Sequence, residues 1–168
     1  MRGRRTSLGH KIRTLTARRA EVRRLRRRRR RIVFANGCFD LLHMGHVTLL
    51  ERAKRLGDVL IVAINSDRSV RALKGAYRPI MAQQERARLL AALASVDYVT
   101  IFDAPTPYRL IAALEPDVLV KGTDWPSRGI VGRDVVARRG GRVVCIPLVN
   151  GYSTSALLRR MARLLRTR

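Results

Sequence analysis

The run Val59-Leu60-Ile61-Val62-Ala63-Ile64 is apolar at every position, and a strand with that pattern has no face to turn toward water. A half-exposed strand alternates apolar and polar residues. A continuous apolar run demands cover on both faces, as in a parallel sheet between two helical layers. Shorter runs of similar texture recur at Ile32 to Ala35, Tyr98 to Phe102, Val118 to Val120 and Val143 to Ile146. Between them lie segments of helical spacing: Val47 to Leu56, with Gly57 as a stop signal, Gln83 to Leu93 and Tyr108 to Leu114; Ser153 to Leu165 follows the last strand. Strands separated by helices make βαβ units with right-handed crossovers. The expected fold is therefore α/β, a Rossmann-like three-layer α/β/α domain around a five-stranded parallel sheet. Ligands of such sheets bind beyond the carboxyl ends of the strands, at the topological switch point. Chemistry is thus expected after Ala35, Ile64, Val120 and Ile146.

Charge divides the chain. Residues 1–31 hold 15 of the 36 Lys and Arg residues and a single acid, Glu21, within a formal net charge of +24. Residues 1–30 read as a basic Arg-rich extension, partly helical or disordered, ahead of one domain at 31–168. Leu15, Val22 and Leu25 share a helical stripe, which predicts a loosely packed basic helix from about Thr16 to Arg29. The run Arg26–Arg31 repels itself and is expected to be solvated. Such a balance attracts polyanions: nucleic acid, anionic membrane or phosphorylated metabolites. The extension has no aromatic residue on which a base could stack. A basic nucleic-acid-binding protein is therefore an alternative whose binding would be weak, sequence-blind and salt-sensitive. No run of about 18 apolar residues suggests a membrane span, and the basic start has no apolar core of a secretory signal. Cys38 and Cys145 are too few for a disulfide framework. Reduced thiols and a cytoplasmic location are expected.

The loop after the first strand reads Asn36-Gly37-Cys38-Phe39-Asp40-Leu41-Leu42-His43-Met44-Gly45-His46. It contains neither a dinucleotide fingerprint nor a P-loop. It offers two histidines three residues apart, on one helical face. Gly45 lets a ligand approach the backbone, and a helix N-terminus supplies unpaired N–H groups suited to phosphate. Spacing alone leaves other readings open. The histidines could be plain surface residues, His43 could be a core histidine, or Cys38, His43 and His46 could chelate a metal, although that spacing lacks a fourth ligand.

Gly37-x-Phe39-Asp40-x-x-His43-x-Gly45-His46 resembles the signature of the cytidylyltransferase-like (H-x-G-H) nucleotidylyltransferase superfamily. Further matches follow in the family's order: Lys74-Gly75 with Arg78-Pro79, Gln84-Glu85-Arg86, Val96-Asp97-Tyr98-Val99, Pro116 to Gly122 with Asp124-Trp125, and Gly151-x-Ser153-Thr154-Ser155. They span about Ile32 to Leu158. The form Asn36-Gly37-Cys38-Phe39-Asp40, with Asn65-Ser66-Asp67 and Lys121-Gly122-x-Asp124, is most similar to heptose 1-phosphate adenylyltransferases. These occur alone or as the C-terminal domain of a bifunctional heptose kinase/adenylyltransferase. Glycerol-3-phosphate cytidylyltransferases, which use CTP, are the nearest rival.

The resemblance implies an enzyme that transfers AMP from ATP to a heptose 1-phosphate, releasing pyrophosphate, for surface-glycan (lipopolysaccharide) precursors. Its partners would be the nucleoside triphosphate and the sugar phosphate. Mg²⁺ would be bound through the triphosphate, with no metal ligand from the protein. It implies catalytic roles for His43, His46 and Lys74, the last from the loop after the second strand. Nucleotide and phosphate binding would fall to Gly37, Cys38, Phe39, Gly45, Arg86, Gly122, Asp124, Ser153, Thr154 and Ser155. Asn36, Asp40, Lys121 and Trp125 would meet the acceptor. Arg86 could bind phosphate or anchor a loop, and Asp40 could touch the acceptor or orient its loop. Ser153 could be simply a helix N-cap, and Trp125 simply structural. The family is often oligomeric, so a homodimer or higher assembly is expected.

Overall fold

In the computed structural model, which describes residues 8–122 and 129–166, five strands form one sheet. They are β1 (Ile32–Gly37), β2 (Val59–Asn65), β3 (Tyr98–Phe102), β4 (Val118–Gly122) and β5 (Arg142–Ile146). Every pairing is parallel, in the order β3-β2-β1-β4-β5. The helices are α1 (Leu15–Arg27), α2 (Met44–Lys54), α3 (Asp67–Lys74), α4 (Gln83–Ala92), α5 (Tyr108–Leu114), α6 (Arg133–Arg138) and α7 (Thr154–Arg166), preceded by a short 3₁₀ turn at Leu8–His10. The expected Rossmann-like α/β architecture is the one found.

The strand alternation explains the three layers. Val33 and Ala35 of β1, with Leu60, Val62 and Ile64 of β2, pack with Leu50 of α2 and Leu90 of α4. The intervening Ile32, Phe34, Ile61 and Ala63 face the opposite way, among Val22 and Leu25 of α1, Ile111 and Leu114 of α5, and Val136 of α6. Both faces of β1 and β2 are thus buried, as their unbroken apolar sequence demands.

Two helices escape sequence reading. In α3 only Ser69 and Val70 are buried, among Asp67, Arg68, Arg71 and Lys74, so no apolar stripe marks it. The six residues of α6 are too few to show a period. Helix α2 starts at Met44, three residues before the expected Val47, because its first turn holds Gly45 and His46 rather than apolar residues.

The basic segment is attached more closely than a loosely packed helix would be. Val22 is fully buried and Leu25 nearly so. Thr14 caps α1 by accepting from the Ala17 N–H. Ahead of it, Ile12 bridges Val99 in parallel, with Arg13 N donating to Val99 O and Val99 N donating to Lys11 O. The chain before α1 thus covers part of the free edge of β3, which would otherwise template pairing with another chain. Arg18 is also buried, its guanidinium 3.9 Å from the Tyr98 ring centre and donating to the Lys11 carbonyl at 2.9 Å.

Replacing Val22 with Ala should cost roughly 1–3 kcal/mol of stability. Urea denaturation checks this: the midpoint falls and the slope is unchanged if α1 unfolds with the sheet.

Candidate active site

Strand order reverses at β1, which has β2 on one side and β4 on the other. The connections leaving β1 and β4 therefore diverge, and a crevice opens at their carboxyl ends. Asn36 lies on its β1 wall and Lys121 on its β4 wall. The Lys121 Nζ donates to Asn36 Oδ1 at 2.7 Å.

The β1–α2 loop carries the two histidines into this crevice. His43 is the N-cap of α2, with extended backbone (φ −144°, ψ 169°), and His46 lies in the first turn. Their rings stack, with centroids 3.7 Å apart and planes 21° from parallel. Gly45 makes the stack fit. A Cβ there would meet His43 Nδ1 at 3.0 Å and Tyr152 Cβ at 3.3 Å. The second contact also brings the turn before α7 against the first turn of α2. Phe39, held at φ 46°, packs its ring 5.0 Å from that of His46. Gly37 leaves room for it, since a Cβ would fall 3.1 Å from the Phe39 ring.

Burial pushes the His46 imidazole down to about 4, helped by the neighbouring His43 and opposed by the Leu41 carbonyl and Asp40. Burial also lowers His43. Both rings are therefore neutral at pH 7, each carrying one N–H to donate. The Nδ1 atoms of both are buried and make no hydrogen bond. Buried polar atoms nearly always have a partner, so these two are the crevice's unsatisfied groups. They fit a ligand that can accept from or donate to both rings.

Two buried charges hold the loop. The Asp40 carboxylate has no exposed side-chain surface. It accepts from Arg78 Nε at 2.6 Å, from Ile80 N at 2.9 Å and from Met81 N at 3.0 Å. Burial alone would raise its pKa. The Met81 and Ile80 amides and Arg78 outweigh that and leave it below the ordinary carboxylate value. Asp40 is thus placed to orient the Arg78–Met81 segment rather than to meet a ligand. Arg86, also wholly buried, donates to Met81 O at 3.0 Å, Cys38 O at 2.6 Å and Asp67 Oδ1 at 2.7 Å. All three partners are protein groups, so Arg86 anchors loops.

The Cys38 thiol lies half-buried 3.9 Å from Asn65 Oδ1. Burial raises its pKa, and the charges of Lys74, Arg86 and Arg78 oppose the rise. Lys74 is the exposed last residue of α3, not part of a loop as expected. The difference follows from the polar sequence of α3. Ser153 accepts from Ala156 N at 3.0 Å, which makes it the cap of α7. Thr154 and Ser155 lie in its first turn, with Ser155 exposed. Gly122 ends β4, and Asp124 and Trp125 fall outside the described residues. Among the described residues no three His, Cys, Asp or Glu side chains converge as a metal-binding group, and no helix is long and apolar enough to cross a membrane. Both cysteines are free. Residue-level reasoning assigned no role to Asp67 or Arg78. Each acts through a partner distant in sequence, which no local pattern reveals.

A doubly wound parallel sheet with a loop of stacked histidines at its switch point defines a Rossmann-like α/β protein with a candidate phosphate crevice. Residues 34–159 match the family model described as Cytidylyltransferase-like, and the chain belongs to that family. It is 58% identical over 139 residues to the Bifunctional protein HldE of Koribacter versatilis, covering 83% of this chain and 29% of that protein. It is 54% identical over 136 residues to the protein of the same name in Syntrophotalea carbinolica, covering 81% and 28%. The chain thus spans less than a third of the length of these relatives. Among solved structures, a lipopolysaccharide core biosynthesis protein from Thermoplasma volcanium superposes with TM-score 0.60 at 26% identity, over 74% of this chain and 99% of that one. Pantothenate synthetase from Thermus thermophilus shares the fold, with TM-score 0.58 at 20% identity over 83% of this chain and 62% of that one.

Gly45→Ala should leave thermal stability nearly unchanged, because alanine suits a helix. It should cost about tenfold or more in any activity that uses the crevice, because the His43 ring must shift. A crystal structure of the variant would show the displaced ring. Stability should also fall on acidification in two stages. The His46 pKa is lowered to about 4, so its contribution is full above about 6.5 and is lost as pH falls toward 4, by about 3 kcal/mol. The Asp40 pKa is also lowered, so its contribution persists above the ordinary carboxylate value and is lost below it. Denaturant melts at pH 7, 4.5 and 3 test this, and His46→Gln should flatten the first stage alone.

Proposed function

We propose that this chain is a nucleotidyltransferase that moves AMP from ATP onto a heptose 1-phosphate, giving ADP-heptose and pyrophosphate for surface-glycan precursors such as those of lipopolysaccharide. One observation carries the reading: two neutral, stacked imidazoles with unsatisfied ring nitrogens stand where the first turns of α2 and α7 meet. Helix N-termini and neutral N–H donors favour a phosphate chain without requiring that a proton be lost. The resemblance of the Asn36–His46 and Lys121–Gly122 segments to heptose 1-phosphate adenylyltransferases supports the choice of nucleotide and acceptor. So does the 58% identity to a Bifunctional protein HldE.

No protein nucleophile is needed. An oxygen of the acceptor phosphate attacks the α-phosphorus of ATP, a new P–O bond forms, and the bond to pyrophosphate breaks with pyrophosphate leaving as the anion. The chain supplies position and charge neutralisation. His43 and His46 donate N–H to phosphate oxygens, and His46 braces the five-coordinate centre. Lys74 draws charge from the incoming phosphates, and Ser153, Thr154 and Ser155 present the α7 N-terminus to the outer phosphates. Gly37, Cys38, Phe39 and Gly45 shape the nucleotide side, with Gly122, and the resemblance implies a nucleotide contact for Asp124. Asn36 and Lys121 line the acceptor side, and the resemblance implies an acceptor contact for Trp125. Arg86 and Asp40 keep these walls in place. Mg²⁺, held by the triphosphate rather than by side chains, would offset charge on its oxygens. The donors named here, imidazoles, an ammonium and hydroxyls, fit a metal carried by phosphate.

In this reading residues 31–168 carry the reaction in the cytoplasm and residues 1–30 are a basic extension whose helix α1 is docked on them. The chain is expected to self-associate as a dimer or higher assembly, which the exposure of Met161 and Leu165 on α7 favours.

Pyrophosphate release with Mg²⁺, crossing ATP and CTP against heptose 1-phosphate and glycerol 3-phosphate, tests the proposal. Turnover should require ATP with the heptose. Turnover with CTP and glycerol 3-phosphate would move the chain to the rival reaction. His46→Ala should lower kcat roughly 10²-fold or more, as loss of an oxyanion-type donor does. A variant with undiminished kcat would remove His46 from the mechanism.

A further inference from the structure

The other end of the sheet carries a second concentration of charge. A cleft of about 570 Å³ opens at the amino ends of β4 and β5, lined by Arg26, Arg29, Arg30, Arg31, Arg139 and Arg142 around Asp117. It lies at the opposite end of the strands from His43 and His46. From its geometry we propose that it binds a compact polyphosphate anion, and that the arginines of the extension and of the α6–β5 turn form one site.

Three observations support this. First, the cations outnumber the acids. Glu115 is shared by Arg26 and Arg139 at 3.5 and 2.9 Å, and Asp58 pairs with Arg30 at 3.1 Å. One Asp117 oxygen accepts the Ile32 amide at 2.7 Å. Counting all three acids against the six arginines leaves three positive charges uncompensated. Like-charged guanidiniums held around one cleft repel, and an anion between them removes that cost.

Second, donors from both sides of the cleft have no ion-pair partner among the described residues. Among the described residues the ion pairs of this wall engage Arg26, Arg30 and Arg139. None engages the side chains of Arg29 from the extension or Arg142 from β5. Planar guanidinium forks match phosphate oxygens in pairs. Arg29 holds this position with φ 54°, a left-handed backbone that glycine would adopt more easily.

Third, the shape selects the ligand. The mouth stays open at Gly140, where an added Cβ would meet nothing within 4 Å. The volume suits a small ligand. Among the described residues no aromatic side chain lines the cleft, so they offer nothing on which a nucleobase could stack. The fitting chemistry is a short phosphoanhydride chain of three or more charges, and single-stranded nucleic acid is disfavoured.

The test titrates inorganic tripolyphosphate into the full chain by calorimetry at 150 mM salt, where loose surface attraction is screened. The His43→Ala/His46→Ala variant serves as host, to weaken any binding at the catalytic crevice. One saturable site is expected. Adding Arg29→Ala and Arg142→Ala should weaken it about tenfold or more without changing thermal stability, since neither side chain makes an ion pair. Adding Arg159→Ala and Arg160→Ala, exposed on α7, should change it less than twofold. Equal losses in both sets would reduce the effect to net charge and overturn the site, as would an unaltered affinity in the Arg29/Arg142 variant. An oligo-dT that binds more tightly than tripolyphosphate in the same host would overturn the choice of ligand.

Discussion

The crevice at the carboxyl ends of the strands depends on one buried cation. Arg86, with no exposed surface, donates to the Met81 and Cys38 carbonyls and to the Asp67 carboxylate. These belong to the segment before α4, the loop after β1 and the start of α3. A buried guanidinium left without partners would cost several kcal/mol, so each of these three segments is held where Arg86 needs it. Asp40 works in the reverse sense, as a buried anion drawing the Arg78–Met81 segment onto itself. Together the two charges tie the β1 loop to the chain between α3 and α4. The histidine loop can therefore be rigid without a regular structure of its own.

That rigidity gives the histidines their chemical character. A surface imidazole near its ordinary pKa would be partly protonated in the cell and free to rotate. Here Phe39 lies against His46, His43 stacks on it, and burial keeps His46 neutral. A neutral ring donates a hydrogen bond without adding a proton that the reaction would have to manage. Under the proposed reaction the site would serve positioning and charge stabilisation, the two contributions that nucleotidyl transfer demands most.

The same parallel sheet organises both poles. At its carboxyl ends the loops of β1 and β4 diverge around Asn36 and Lys121. At its amino ends the connections bring arginines of the extension beside those of the α6–β5 turn. The extension is joined to the sheet by Val22 and Leu25 within one core and by the Ile12 bridge on the edge of β3. Its charge is therefore presented from a fixed frame, and cations far apart in sequence can act on one ligand.

The sequence by itself determined the layers and the sheet, and it singled out one loop as the candidate site. Unbroken apolar strands need cover on both faces, so Val59–Ile64 alone implies a parallel sheet between helices. The Asn36–His46 loop could be recognised because its residues are contiguous and its glycines and histidines have few other uses together. Helices α3 and α6 stayed hidden, being short and mostly polar, without the apolar stripe from which helical period is read. Only the tertiary structure shows what Asp40 and Arg86 hold together. Sequence left each with two roles, and in the fold each bonds to protein groups, among them Arg78 for Asp40 and the Cys38 carbonyl for Arg86, each some 40 residues away. The same holds for the neutral state of His46 and for the arginine cleft. Burial and the meeting of distant charges are properties of three-dimensional packing, and a linear pattern carries neither.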